Sequence, residues 1–195
     1  MSQEVRPAAD EPVIDAEALR KAEEYIEEEE GAANKLRGAL GAFVTAVAVV
    51  MSVFHLYTAY AIVPAQVLRP VHVAFVLFLS YLLFPLARRY RHRVMWWDWI
   101  AAFAGVAVTA YMVHGGDDLM DRNTSPNDWD VFFGVALVVL ILEAMRRASG
   151  WIMPAVVLAF VSYALFGEQL PGSWAHRSYE IPRLVGHMYM TLEGI

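Results

Sequence analysis

Five long apolar runs constrain what this 195-residue chain can fold into: roughly Leu40 to Val63, Val67 to Leu86, Trp97 to Val113, Val131 to Met145 and Trp151 to Phe166. The chain is 58% hydrophobic and only 18% charged, and its charges lie between the runs rather than interspersed within them. Segments of that kind need a nonaqueous solvent. About 20 helical residues at 1.5 Å each cross ~30 Å of hydrocarbon, so the shorter runs span it only by extending into their flanks. The expectation is an all-α, polytopic membrane protein. Its small membrane domain covers 35–167, with helices at about 40–63, 67–86, 97–113, 131–145 and 151–166.

Charge divides the chain unevenly. Residues 1–34 hold eleven acidic and three basic residues, net −8, whereas the rest holds ten acidic and twelve basic, net +2. The overall −6 therefore describes an acidic N-terminal arm and says little about the membrane body. No apolar stretch in that arm resembles a cleavable signal peptide. From Asp15 to Glu30 the residues favour helix, with Leu19, Ala22 and Ile26 at helical spacing, which predicts a short solvated amphipathic helix. There is no cysteine, which excludes disulfides, thiolate chemistry and cysteine metal sites.

Arginine placement sets the predicted topology. Arg88, Arg89, Arg91 and Arg93 follow the second run and Arg146 with Arg147 follow the fourth, so both loops are expected in the cytoplasm. The loop from Gly115 to Asp130 carries five aspartates against Arg122 alone, as an exported loop should. The N-terminus is then cytoplasmic and the C-terminal segment external, in a bacterial or archaeal inner membrane.

Between the fourth and fifth runs, Leu142 to Pro154 leaves almost no room for a loop. Arg146 and Arg147 stop one helix, Gly150 suits a left-handed C-terminal position, and Pro154 falls in the next helix's first turn. Glu143 lies about one turn inside the apolar run, four residues before Arg147. An uncompensated carboxylate there costs about 2 to 3 kcal/mol on insertion scales, so Glu143, Arg146 and Arg147 are candidates for a structural ion pair.

His55, His72 and His114 fall in the outer thirds of their helices. His55 and His72 are candidates for interhelical polar contact, and two imidazoles at matching depth could also ligate a haem iron or relay protons. Trp96, Trp97 and Trp99 around Asp98 suggest an interfacial aromatic belt with a carboxylate near the N-terminal donors of the third helix. Residues 168–195 form an external loop and then, from Arg183, an amphipathic helix with Leu184, Val185, Met188, Tyr189 and Leu192 on one face. No phosphate-cradling glycine loop, paired carboxylate site or serine triad is evident, so no enzyme activity, catalytic residue, metal ligand or cofactor is expected, and nothing suggests nucleic acid binding.

The segments Phe54 to Ala59 (FHLYTA), Arg69 to Phe75 (RPVHVAF), Leu142 to Pro154 (LEAMRRASGWIMP) and Gly186 to Ile195 (GHMYMTLEGI) together resemble the N-terminal region of fused permease subunits of tripartite ATP-independent periplasmic (TRAP) transporters, of the TAXI type. The resemblance covers nearly everything after about Lys35. It implies a small scaffold-like membrane domain that precedes a large permease domain, with 168–195 leading towards that domain. It also implies a periplasmic TAXI-type solute-binding protein as partner and ion-driven uptake of a small solute, commonly an organic acid anion. The coupling ion, commonly sodium, and the substrate would sit in the large domain, so no substrate-binding residue is carried onto this chain. The alternative is a haem-binding membrane anchor of an electron-transfer complex, using His55 and His72.

Overall fold

The computed structural model describes residues 15–29, 34, 36–90 and 93–194. Among these, the chain is helical with no strand: α1 (Ala16–Glu29), α2 (Gly38–Tyr60), α3 (Ala65–Leu83), α4 (Trp96–Asp121), α5 (Asp128–Ser149), α6 (Ile152–Leu165) and α7 (Ile181–Tyr189). Three of these, α2, α3 and α4, are long and apolar enough to cross a membrane, which is consistent with a helical membrane protein. Only 6% of the most apolar window of α2 is buried. A helix apolar all round must be covered by protein or by lipid, and this one is largely uncovered by its own chain. The same holds for α6, where Leu158 and Phe160 point outward.

The core lies between α3 and α4, with α5 across them. Leu77, Phe78, Tyr81 and Leu82 recur one turn apart on α3 and bury against Ala102, Gly105, Val108 and Met112 on α4. Small residues let the backbones approach: a Cβ placed on Gly105 would lie 3.0 Å from the Leu77 Cβ. Thr109 is almost fully buried there, its hydroxyl donating to the Gly105 carbonyl one turn back. Phe43 of α2 joins this core edge-on against Phe78 and beside Trp99.

Helix ends depart from the apolar runs in ways that have local causes. α4 continues past Val113 to Asp121, but Gly116 (φ 47°, ψ −131°) breaks it, a backbone state that favours glycine. α5 starts at Asp128, before its apolar run, because Asn127 and Asp130 form a reciprocal cap. It ends at Gly150, whose φ of 80° turns the chain sharply into α6. Pro154 is the third residue of α6, where it breaks no intrahelical bond. The helix in the acidic arm is α1, all of whose described side chains are exposed.

α7 carries the amphipathic pattern of the C-terminal segment, and its apolar face meets protein. Val185, Gly186, Tyr189 and Met190 are buried, packed mainly on α5. A Cβ on Gly134 would collide with Val185, and one on Gly186 with the Asn123 carbonyl, so two glycines permit this docking. The Tyr189 hydroxyl then reaches inward and donates to the Val108 carbonyl at 2.8 Å.

Candidate functional site

Polar groups gather at three places, the first being the end of the bundle that bears Arg146 and Arg147. These arginines stand in the last turn of α5, where a helix leaves carbonyls unpaired and favours cations. Arg146 grips Glu143 in a two-pronged contact, Nε to Oε2 and Nη2 to Oε1, each 2.7 Å. Arg147 Nε reaches the same carboxylate at 2.8 Å, while its Nη1 reaches Asp98 Oδ1 at 2.6 Å. The other Asp98 oxygen accepts from the Met95 backbone N–H at 2.9 Å, capping the first turn of α4. Arg147 and Asp98 are both almost fully buried, at 4% and 2% side-chain exposure, so each charge depends on the other.

The same arginines close the end of α3. Arg147 also donates to the Phe84 carbonyl and Arg146 to the Leu86 carbonyl, at 3.4 and 3.3 Å. Buried Asn34 takes the preceding pair: its backbone N–H donates to the Leu83 carbonyl and its side-chain amide to that of Leu82. The Tyr81 ring lies under the Arg147 guanidinium, 4.8 Å away, and its hydroxyl donates to the Leu140 carbonyl. Three helices are thus tied by one network, of which only the Glu143–arginine spacing was visible in the sequence. The contact of Asp98 with Arg147 and the role of Asn34 were missed, because Asp98 meets that partner 49 residues away.

At the opposite end, Asp130 is fully buried and saturated. It accepts from Arg122 Nε and Nη2 at 2.8 and 2.9 Å, from the Tyr111 hydroxyl at 2.7 Å and from the Asn127 backbone at 3.0 Å. The carboxylate bonded to it holds the Arg122 guanidinium above its ordinary range. Phe133 stacks on Tyr111 with centroids 4.4 Å apart. Arg122, in the sequence a lone base in an acidic loop, is the residue that folds that loop onto α5.

The third place joins α2 to α3: His55 Nε2 and His72 Nδ1 lie 2.9 Å apart. A metal held between two imidazole nitrogens separates them by about 4 Å, twice a metal–nitrogen bond of ~2 Å. The rings as placed bond each other directly and do not fit a haem iron between them. His114 is exposed on α4. Among the described residues, no group of three or more His, Asp and Glu side chains is placed to hold a metal.

Arg88 to Tyr90 form a short 3-10 turn, Arg89 covers the Tyr90 ring and Arg93 is exposed. Arg91 lies outside the described residues. An open cleft of about 860 Å³ lies beside the meeting of residues 120–126 with α7, lined by Asn123, Thr124, Glu180, Arg183, His187 and Glu193. Its charges have both signs, with His187 facing Glu193 at 3.6 Å, so it presents no single field for a charged ligand. No protein-family model matches the chain, and neither the curated proteins nor the solved structures compared with it include a match.

Proposed function

We propose that this chain is the small membrane domain of a TRAP-type secondary transporter of the TAXI kind, a scaffold against which a large permease domain works. The observation that carries the reading is where the four TRAP-like segments sit. FHLYTA and RPVHVAF contribute His55 and His72, which join α2 to α3. LEAMRRASGWIMP contributes Glu143, Arg146 and Arg147, which tie α5 to α3 and α4. GHMYMTLEGI contributes Gly186 and Tyr189, which dock α7. A family pattern concentrated at interhelical joints suits a rigid support rather than a ligand pocket.

In this reading the body lies in a bacterial or archaeal inner membrane with α2 to α6 as five spans. The 14 residues of α6 reach only ~21 Å, so the residues after it complete that crossing. The arginine end faces the cytoplasm and the Arg122–Asp130 end faces outward. Solute, delivered by a periplasmic binding protein, and the coupling ion, sodium in the simplest case, are handled by the large domain. Transport sites of this class need discontinuous helices near the midplane, and the break at Gly116 lies near the end of α4 instead.

Co-expression with the large permease domain of a TAXI-type TRAP transporter tests the reading. A defined complex of the two polypeptides in detergent supports it, and failure to associate with any such permease removes it.

A further inference from the structure

The His55–His72 contact has a proton inventory that can be read from its geometry. His55 Nδ1 lies 2.7 Å from the Met51 carbonyl one turn back, and its Nε2 lies 2.9 Å from His72 Nδ1. A carbonyl oxygen can only accept, so His55 Nδ1 carries a proton, and in the neutral ring Nε2 is then bare. The second contact closes only if His72 Nδ1 carries a proton and donates it. Both neutral rings are therefore Nδ1–H tautomers, and the nitrogen left to accept a proton is His72 Nε2.

We infer that His55 and His72 together form a one-proton binding site that fastens α2 to α3. The first proton adds to His72 Nε2, giving an imidazolium whose Nδ1–H still donates to His55 Nε2. A second proton has only the His55 Nε2 lone pair to occupy, which already holds the contact. Taking it sets two N–H groups and two like charges face to face across rings whose centroids are 4.9 Å apart, and the contact opens. α2 meets its neighbours otherwise through apolar rings such as Phe54 on Phe75 and Phe43 on Phe78, so this joint is where proton concentration can reach it.

On α2 the nearby ionisable groups are Tyr57 and Tyr60, both exposed. On α3, Arg69 stands one turn before His72 and donates to the Leu192 carbonyl. On α4, Asp117 accepts from Gln66, and on α5 the wall below His72 is apolar, with Ile141, Ala144 and Met145. The inference does not depend on the transport reading.

Nitrogen NMR of the full chain, 15N-labelled at histidine and held in lipid nanodiscs, tests it, with His55→Gln and His72→Gln used only for assignment. At alkaline pH both rings should show protonated Nδ1 and bare Nε2, with a 15N–15N coupling across the His72 Nδ1–H to His55 Nε2 bond. On acidification the first new N–H should appear at His72 Nε2 with the coupling kept, and a second proton should abolish it. An Nε2–H tautomer on either ring at alkaline pH, no coupling, a first proton on His55, or a coupling that survives double protonation would overturn the proposal.

Discussion

Arg147 of α5 lies 2.6 Å from Asp98 in the first turn of α4, and both side chains are almost wholly withdrawn from the surface. Removing Arg147 strands Asp98 as a buried charge, whereas Arg147 still has Glu143 at 2.8 Å when Asp98 is removed. Arg147→Leu should destabilise the chain by about 3 to 5 kcal/mol, whereas the double replacement Asp98→Leu with Arg147→Leu should recover much of that loss. Denaturation in detergent, read by tryptophan fluorescence, gives the coupling between the two sites. Strict additivity would show that the pair is not energetically joined.

The docking of α7 depends on the missing side chain at position 134, where any Cβ would meet Val185. Gly134→Val should therefore lift α7 from α5. A single cysteine at position 190, where Met190 is 2% exposed, reports it in this cysteine-free chain. Its modification by a water-soluble thiol reagent should accelerate about tenfold or more in Gly134→Val, equivalent to ~1.4 kcal/mol of opening. Unchanged protection would mean that α7 is held elsewhere.

How much of this was legible beforehand follows from the range of each signal. Apolar runs locate α2 and α3 to within a few residues, since hydrophobic length is a property of the local sequence. Glu143, Arg146 and Arg147 lie on one helix, so their spacing alone brings them together. Asp98 gives no such sign, because periodicity cannot say which neighbour a helix face meets. The arginines after the fourth run read as a helix stop and as partners for Glu143, and nothing in their spacing shows that both also turn onto the end of α3. α7 shows the converse: its apolar face was plain and its counterpart on α5 was not, the only hint being a glycine inside an apolar run.

At the other end of the bundle, Asp130 and Tyr111 separate charge from hydrogen bonding. Tyr111→Phe removes one donor and should cost about 1 kcal/mol, while Asp130→Ala leaves Arg122 without its two-pronged partner and should cost about 3 kcal/mol. The same denaturation assay ranks them. Equal losses would contradict a carboxylate-centred joint.

Orientation is tested by impermeant thiol labelling of intact cells, with single cysteines at exposed Ser125 and Arg89. Position 125 should label and position 89 should not, because the proposed orientation keeps the arginine loop inside. The reverse pattern would invert the proposed topology.

The central claim, that this chain supports transport without performing it, is tested most directly in proteoliposomes. The purified chain is reconstituted with its periplasmic binding protein, labelled solute and an imposed sodium or proton gradient, with and without the large permease. Uptake only when the large permease is present is the predicted result. Uptake by this chain and the binding protein alone, above that of empty liposomes, would contradict it.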